Sequence, residues 1–397
     1  MPVPKEERFV SSTRLRVMTV FGTRPEAVKM APLVQVLNAH PQVESMVCVT
    51  AQHREMLDQV LDVFDVQPDD DLDIMEPSQT LGKITTKALS GLEVVLQRRR
   101  PDIVLVHGDT TTTFAAALAA FYQQIAIGHV EAGLRTYQKY NPFPEEMNRQ
   151  LADVLCDLFF APTDLSAANL LREGRDEKAI FITGNTAIDA MRTTVREEYH
   201  HPILDALPTG TRLIYMTSHR RENWGVNLEN ICRAALRVVE GHEEIHLVYP
   251  VHLNPAVRDT VFTVLGNHPR IHLIDPLGVV DNHNFMARST LILTDSGGIQ
   301  EEAPSLGVPV LVLRETTERP EGIDAGTLKL VGTDEERIVR EAEHLLTDAA
   351  AYEDMAGRKN PYGDGRACQR IVEAILHYFD RGERPESFRY LESGSLF

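Results

Sequence analysis

Residues 103–136, IVLVHGDTTTTFAAALAAFYQQIAIGHVEAGLRT, contain the alternation that decides the fold. The apolar, β-branched run Ile103–His107 predicts a buried strand, and the alanine-rich segment Thr112–Tyr122 after it predicts a helix. A second apolar stretch, Ile125–Ile127, comes after that helix and leads into a densely polar segment. Short apolar strands separated by helices are typical of a parallel sheet that is covered by helices on both faces.

The same alternation extends along the rest of the chain. Further apolar runs predict strands at Leu15–Phe21, Leu158–Ala161, Ile180–Thr183, Leu213–Thr217, Ile245–Val251, Ile271–Ile274, Leu291–Thr294 and Val308–Leu313. Helical patterns such as Leu228–Val239 lie between these strands. Because 397 residues are too many for one hydrophobic core, we predict an α/β protein with two parallel-sheet domains.

The best candidate for a domain boundary is the polar, proline-containing segment EEYHHPILDALPTG at residues 197–210. The last helical stretch, Arg366–Phe379, is predicted to return to the first domain. The predicted limits are residues 1–13 for a flexible N-terminal extension, 14–197 plus 366–397 for an N-terminal Rossmann-like domain, 198–210 for a linker and 211–365 for a C-terminal Rossmann-like domain.

Charge and cysteine content exclude several classes of partner. The net charge of −18 argues against nucleic acid and against an anionic membrane surface. The four cysteines are far apart in the sequence, which predicts free thiols in a reducing compartment. Because the sequence shows no apolar signal segment and no run of about 18 apolar residues, we expect a cytoplasmic protein that spans no membrane.

Ligands of open parallel sheets bind where strands end and helices begin, so the residues just after each predicted strand are candidate ligand contacts. After the first strand, Arg24 and Lys29 lie near the start of a predicted helix, which suits a diphosphate. Asp109 comes after the strand that ends at His107, and Glu131 comes after the next apolar stretch. An ordinary solvated turn or a helix cap remains the alternative for each of these positions.

The segment PFPEEMNRQ places Glu145 and Glu146 at the start of another predicted helix. Acidic residues in a first helical turn are explained by the helix dipole alone. The functional alternative is that one of them converges with Asp109 and Glu131. Converging carboxylates raise one another's pKa, so that one carries a proton to donate while another acts as a base.

Two turns in the second half are suited to a phosphorylated ligand. The segment SHRREN comes after a strand and places His219 and Arg220 where they can meet phosphate oxygens or exchange a proton. The segment TDSGGIQEE places Ser296-Gly297-Gly298 at a strand-to-helix turn, where free N–H groups can bind a phosphate. Glu302 lies one turn into that helix and can accept from ribose hydroxyls. A plain tight turn is the alternative for the two glycines.

One motif match is rejected, and two nucleotide-binding motifs are absent from the sequence. His242 to His246, HEEIH, matches the zinc-protease pattern, but that pattern needs a helix and residues from Ile245 onward predict a strand. The sequence contains neither G-x-G-x-x-G nor G-x-x-x-x-G-K-[ST], so it gives no support for NAD or P-loop ATP chemistry.

Taken in order, many segments resemble the non-hydrolysing UDP-N-acetylglucosamine (UDP-GlcNAc) 2-epimerases. They are FGTRPEAVKMAPLV, TAQHREMLDQVL, VHGDTTTTFAAALAAF, HVEAGLRT, PFPEEMNRQLADVLCD, NTAIDA, SHRREN, YPVHLNP and TDSGGIQEEAPSLGVPVLVLRETTERPEG. The resemblance extends from the first strand to the PYGDGRA segment and the last helix. It implies the GT-B fold, with two Rossmann-like domains facing a central cleft, and a homodimer.

The resemblance also implies the activity and the site. The expected reaction is reversible conversion of UDP-GlcNAc to UDP-N-acetylmannosamine (UDP-ManNAc), for bacterial surface polysaccharides, without a metal or other cofactor. The family's catalytic positions fall on Asp109, Glu131, Glu145 and His219. Its UDP contacts fall on Arg24, Lys29, Ser296, Gly297 and Glu302, with Gly298 of the same turn and Arg319 as further candidates, which makes residues 211–365 the UDP-binding domain.

Some bacterial members of this family are activated by a second UDP-GlcNAc molecule beside the active site. Gln52, His53, Arg220 and His252 match that second site. Glu55 stands where such members carry glutamine, and Ser78 where they carry arginine. An added anion and a lost cation beside a diphosphate predict weaker binding there.

The mechanism expected from the resemblance is elimination of UDP to a 2-acetamidoglucal, followed by its readdition. Asp109, Glu131 and Glu145 share the roles of base and acid, and the sequence does not divide these roles among them. Three alternatives remain open: a 2-epimerase of a modified UDP-sugar such as a diacetamido uronic acid, a GT-B glycosyltransferase, and a UDP-sugar sensor without activity.

Overall fold

The computed structural model describes residues 14–51, 54–76 and 79–390, without the side chains of residues 54–56. The predicted N-terminal extension, residues 1–13, lies outside the described residues. The described chain divides into two compact units. Unit 1 comprises residues 14–186 and 366–388, and unit 2 comprises residues 187–365 and the short segment 389–390.

Unit 1 is built on a seven-stranded parallel sheet with the strand order β3-β2-β1-β4-β5-β6-β7. Its elements are β1 (Leu15–Phe21), α1 (Arg24–Ala39), β2 (Val43–Val49), α2 (Arg54–Val63), β3 (Asp70–Asp71), α3 (Leu81–Arg99), β4 (Ile103–His107), α4 (Thr111–Tyr122), β5 (Ala126–Val130), α5 (Glu145–Leu155), β6 (Leu158–Ala161), α6 (Asp164–Arg172), β7 (Ile180–Ile182) and the last helix of the chain, α16 (Ala367–Tyr378).

Unit 2 repeats this plan with a six-stranded parallel sheet in the order β10-β9-β8-β11-β12-β13. Its elements are α7 (Thr186–Thr194), α8 (Pro202–Ala206), β8 (Arg212–Thr217), α9 (Val226–Gly241), β9 (Ile245–Pro250), α10 (Pro255–Leu265), β10 (Ile271–Ile274), α11 (Val279–Ala287), β11 (Leu291–Thr294), α12 (Gly297–Glu302), β12 (Val310–Val312), α13 (Pro320–Asp324), β13 (Leu328–Leu330), α14 (Glu335–Thr347) and α15 (Ala349–Ala356).

The apolar runs found in the sequence are buried on both sheet faces. In β8, Ile214 and Met216 pack into a core shared with α9 and α14, whereas Leu213 and Tyr215 pack into a core shared with α11. Alternate residues of a strand point to opposite faces, so a continuous apolar run is what a sheet covered on both sides requires. The prediction of an α/β protein with two parallel sheets is confirmed.

Helix α16 belongs to unit 1, which therefore consists of two separated stretches of sequence. Its buried residues Ile371, Val372 and Ile375 form an apolar face, and the helix contacts α1. Beyond it, Phe388 N donates to Ile182 O at 2.7 Å, at the end of β7. The domain limits predicted from the sequence, including the linker at 198–210, stay a prediction.

In both sheets, the order in which the chain adds strands reverses at a defined point. In unit 1 the chain adds β2 and β3 on one side of β1 and then β4 to β7 on the other side. In unit 2 it adds β9 and β10 on one side of β8 and then β11 to β13 on the other side. In sheets of this kind, the crevice at the carboxyl ends of the two strands flanking the reversal is the usual ligand site. None of the helices in the described ranges has the length and apolar character that crossing a bilayer needs.

Candidate functional site

In unit 1, the polar turns after β1, β4 and β5 meet at the reversal point. Glu26, in the first turn of α1, accepts from Gly22 N at 3.0 Å and from Thr23 N at 2.8 Å. The same carboxylate accepts from Thr110 Oγ1 at 2.7 Å, at the start of α4. Glu26 is buried and ties the two turns together, so it has a structural role that was not predicted from the sequence.

Gly22 is required by the close approach of these turns. A β-carbon at this position would lie 1.9 Å from Thr50 Oγ1 and 2.7 Å from Thr112 Oγ1. Arg24 comes two residues later and is partly buried, which lowers the pKa of its guanidinium. The turn therefore holds Arg24 close to the carboxyl end of β1 on a rigid backbone.

Glu131 lies directly after β5, in the left-handed region at φ +65°. Its Oε2 pairs with Lys29 Nζ on α1 and accepts from Asn185 Nδ2 at 3.1 Å, after β7. Burial raises the pKa of the Glu131 carboxyl, but nearby Lys29 and His107 lower it well below its ordinary value. The structure thus brings Lys29 and Glu131, both predicted site residues, into direct contact as a largely buried ion pair.

Asp109 forms an ion pair with Arg149 of α5, and Arg149 also lies 3.3 Å from Glu146 Oε2. The first turn of α5 is held against the Asp109 turn because Asn148 Nδ2 donates to Asp109 O at 3.0 Å. A β-carbon on the neighbouring Gly108 would lie 3.9 Å from Glu131 Oε1. Asp109, Glu131 and the start of α5 are therefore neighbours in unit 1.

Glu145 and Glu146 have different environments. Glu146 is buried and accepts from the backbone N–H groups of Thr136 and Tyr137, each at 3.0 Å. Burial raises the pKa of Glu146, but these hydrogen bonds, Gln150 and Arg149 lower it to below its ordinary value. Glu145 is only partly buried, and its carboxylate forms no hydrogen bond or ion pair with any described residue. Glu146 therefore anchors the loop, whereas the Glu145 carboxylate is not engaged by the described residues.

In unit 2, the buried carboxylate of Asp295 organises the turn after β8. Its Oδ2 accepts from the backbone N–H groups of His219 and Arg220, each at 2.9 Å, and from Asn223 Nδ2 at 2.9 Å. Asp295 was not predicted as a site residue from the sequence. Its signal was its place directly after β11, at the reversal point beside β8.

His219 presents a half-exposed ring, 44% accessible, that stacks on His252 with the ring centroids 5.9 Å apart. Its Nδ1 lies 3.4 Å from Asp295 Oδ1. Partial burial lowers the pKa of His219, Asp295 raises it, and His252 and Arg220 lower it, so that the net direction is downward. The lowered pKa favours the neutral form of the ring, which can accept a proton.

The Ser296-Gly297-Gly298 turn lies at the start of α12, and Arg319 covers it. A β-carbon on Gly297 would lie 2.9 Å from Arg319 Cζ. The guanidinium is held there by Glu301, whose Oε1 lies 3.0 Å from Arg319 Nε. Four predicted contact residues are therefore adjacent, and the arginine is fixed by a partner that sequence reasoning missed.

Glu302, the last residue of α12, faces the buried His283. His283 Nε2 lies 3.4 Å from Glu302 Oε2, and its Nδ1 lies 2.6 Å from Thr194 Oγ1. The ring thereby connects Glu302 to helix α7. This fixes the orientation of a carboxylate that the resemblance assigned to the nucleotide.

The structure bears only partly on the predicted second site. Gln52, His53, the side chain of Glu55, and Ser78 lie outside the described residues. Arg220 and His252 lie in unit 2 beside His219.

The rejected HEEIH motif is indeed not a helix, because β9 begins at Ile245. In the part of the chain that the structure describes, no three His, Cys, Asp or Glu side chains are grouped as metal ligands.

Comparison with known proteins gives consistent matches over most of the chain. The family model described as UDP-N-acetylglucosamine 2-epimerase matches residues 35–376. A relative from Bacillus subtilis, UDP-N-acetylglucosamine 2-epimerase, is 60% identical over 376 residues, covering 94% of this chain and 99% of the relative.

Two solved structures with bound nucleotides are also similar. The UDP complex of MnaA from S. aureus has a TM-score of 0.85 at 54% identity, covering 94% of this chain and 100% of that chain. UDP-GlcNAc 2-epimerase from Neisseria meningitidis, bound to UDP-GlcNAc, has a TM-score of 0.83 at 49% identity, covering 91% and 100%. Together with the two parallel sheets, these matches define an α/β protein of the GT-B fold class. The chain belongs to the UDP-N-acetylglucosamine 2-epimerase family.

Proposed function

We propose that this protein interconverts UDP-GlcNAc and UDP-ManNAc by inverting C2 of the sugar. The observation that carries the proposal is the buried Lys29–Glu131 pair, beside Asp109 and the start of α5, at the reversal point of the unit 1 sheet in a chain of this family. The relatives whose structures contain UDP or UDP-GlcNAc support the same substrate and product here.

The chemistry needs an elimination because C2–H is not adjacent to a carbonyl group and is not acidic. UDP leaves C1 with the electrons of the C1–O bond while a carboxylate takes the C2 proton, which gives 2-acetamidoglucal. In the return step UDP adds to C1 and an acid delivers a proton to the opposite face of C2. Asp109, Glu131 and Glu145 supply base and acid collectively.

The diphosphate needs cations and N–H donors as charge develops on it. We assign these roles to Arg24 and Lys29 in unit 1. In unit 2 we assign them to His219, Ser296, Gly297, Gly298 and Arg319, with Glu302 contacting the ribose. The support for this assignment is the arginine fixed over the Ser296-Gly297-Gly298 turn and the half-exposed ring of His219. No step of this route needs a metal or a redox cofactor.

The reaction is tested by incubation with UDP-GlcNAc in D2O and proton NMR. We expect UDP-ManNAc to form and deuterium to appear at C2 of the product. Epimerisation with the original hydrogen retained at C2 would contradict the elimination route. Absence of UDP-ManNAc, with turnover only after an acceptor sugar is added, would instead favour a glycosyltransferase, and a panel of modified UDP-sugars tests the remaining enzyme alternative.

The two adjacent glutamates provide a matched pair of variants. We expect Glu145→Gln to reduce kcat by at least about 100-fold, the low end for loss of a general acid or base, with the melting temperature unchanged. Glu146→Gln should instead lower the melting temperature, because two backbone N–H groups lose a charged acceptor. Equal activity loss and equal destabilisation in both variants would contradict the division of roles.

We propose that the protein is a homodimer that associates through unit 1. Helices α3, α4 and α5 pack side by side and expose Val94, Phe121, Tyr122 and Val154, of which Tyr122 is 65% accessible. Exposed apolar side chains on neighbouring helices are typical of an interface between subunits. Light scattering should give twice the mass of 44.5 kDa, and Val154→Glu should reduce it to the monomer mass. A wild-type monomer would refute the dimer.

The product's destination and the second nucleotide site also remain part of the proposal. UDP-ManNAc made in the cytoplasm would serve bacterial surface polysaccharides. Separately, a second UDP-GlcNAc molecule would bind beside Arg220 and His252. The allosteric part is tested by following UDP-ManNAc consumption with and without a trace of UDP-GlcNAc. A lag that the trace removes supports activation, and identical progress curves contradict it.

A further inference from the structure

His107, the last residue of β4, is a buried histidine that has no role in the proposed mechanism. Its side chain is 5% accessible, and neither ring nitrogen hydrogen-bonds to any described residue. A buried polar group without a partner is costly, because it has given up its hydrogen bonds to water. Such a group needs an explanation other than packing.

The ring faces the carboxylate at the centre of the proposed site. His107 Nε2 lies 3.7 Å from Glu131 Oε2, about half an ångström beyond hydrogen-bonding distance. Both residues are placed by rigid elements, since His107 pairs with Val130 in adjacent strands and Glu131 is the next residue. A small rotation of either side chain completes the bond.

All hydrogen bonds described for Glu131 reach the same oxygen. Oε2 pairs with Lys29 and accepts from Asn185, and it is also the atom nearest to His107. The other oxygen, Oε1, lies toward the Gly108 turn that precedes Asp109. Two donors therefore hold Oε2, His107 Nε2 faces the same atom, and no described group donates to Oε1.

We propose that His107 is a positioning residue, which donates Nε2–H to Glu131 Oε2 during the reaction and so aims Oε1 at C2 of the sugar. This inference rests on the proposed function, in which Glu131 belongs to the acid–base group. His107 itself touches neither substrate nor product. It acts through the orientation and charge of Glu131.

Substitution of His107 by asparagine or by glutamine distinguishes this role from simple packing. The side-chain nitrogen of glutamine can reach the place of Nε2, whereas that of asparagine reaches only the place of Nδ1. We therefore expect His107→Asn to lower kcat by about 10- to 100-fold, the range for one hydrogen bond to a charged group, with KM nearly unchanged. His107→Gln should recover most of the lost activity. Equal loss in both folded variants, or no loss in either, would overturn the proposal.

A second measurement does not depend on turnover. Carbon-13 NMR of glutamate carboxyl groups, with Glu131 assigned through Glu131→Gln, gives the pKa of this group in wild type and both variants. Loss of a donor that stabilises the ionised form should raise the Glu131 pKa in His107→Asn, and His107→Gln should restore it. An unchanged pKa in His107→Asn would overturn the inference, while inactivity of the wild type would refute only the proposed function.

Discussion

Lys29 and Glu131 form a buried ion pair in which each charge compensates the other. Each side chain is about one-seventh exposed, so neither charge is well solvated without the other. A buried ion pair adds little stability over a neutral pair, but removal of one partner leaves an uncompensated charge. Each residue is therefore needed mainly to compensate the buried charge of the other.

We expect Lys29→Met to destabilise the protein by about 3–5 kcal/mol, the range for breaking a buried pair. The double variant Lys29→Met/Glu131→Gln should lose less, because the unpaired charge is also gone. Urea unfolding at neutral pH, followed by circular dichroism, measures both. A double variant as unstable as the single one would show that lost packing, rather than the buried charge, causes the effect.

A second carboxylate gives a prediction about pH. Glu318 accepts from Arg314 at 2.7 and 3.1 Å. Burial raises the pKa of Glu318, but the hydrogen bonds and charge of Arg314 lower it to about 2, from an ordinary value of 4.5. Because the folded-state pKa is the lower one, the stabilisation is complete above pH 4.5 and is lost as the pH falls toward about 2.

Glu318→Gln should therefore lower the melting temperature at neutral pH. The difference in melting temperature between wild type and variant should become smaller below pH 4.5. Because Glu318 is 39% exposed, solvent screening keeps the effect modest. Differential scanning calorimetry across this range measures the gap. A gap that is the same at neutral pH and at about pH 3 would contradict the assignment.

Single residues were predicted from the sequence where their chemistry is local, and missed where it is not. Lys29, Glu131 and Arg319 lie after strand ends or in recognisable motifs, and the structure places Lys29 on α1, Glu131 directly after β5 and Arg319 directly before α13. Asp295 and Glu301 act by holding other site residues through contacts that no spacing rule reveals. His107 has the sequence pattern of a strand end, and only the fold shows that its ring faces a carboxylate.

At the level of elements, most strands with a continuous apolar run were predictable, but β2, Val43–Val49, was missed although its last four residues are buried. β1, β4 and β11 have the predicted bounds because each is a continuous buried run. β3 is only Asp70–Asp71 and forms through backbone pairing with β2, so no apolar pattern in the sequence predicts this strand. β13, Leu328–Leu330, was missed for the same reason, since it is short and carries a lysine.

The Ser296-Gly297-Gly298 turn at the start of α12 gives a prediction with an internal control. Gly297→Ala should displace Arg319 and reduce UDP affinity by about 10- to 100-fold, as expected for loss of a charged hydrogen-bonding partner. Gly298→Ala should have a much smaller effect, because its β-carbon would meet nothing closer than 3.7 Å. Isothermal titration with UDP measures both. Equal affinities in the two variants would contradict a role for Arg319.

At the scale of the whole molecule, the two-sheet architecture could be predicted from the sequence because length and strand alternation are global properties. The return of the last helix to unit 1 was also predicted, although its partner was not. That partner is α1, some 330 residues earlier in the chain. Contacts over such separations depend on the assembled fold.

A chain that ends at residue 365 tests how independent the units are. Without α16, unit 1 loses the apolar face of Ile371, Val372 and Ile375. We expect unit 1 to lose helical circular dichroism, while unit 2 keeps native fluorescence from Trp224, the single tryptophan, which packs against its core. A native spectrum for both units would show that α16 is dispensable.

The split composition of unit 1 has a consequence for biosynthesis. A ribosome delivers α16 only after all of residues 187–365, so unit 1 stays incomplete until this helix is made. Residues 187–365, by contrast, leave the exit tunnel as one continuous stretch. Unit 2 can therefore complete its fold before unit 1, and an incomplete unit 1 exposes apolar surface that favours aggregation in the meantime.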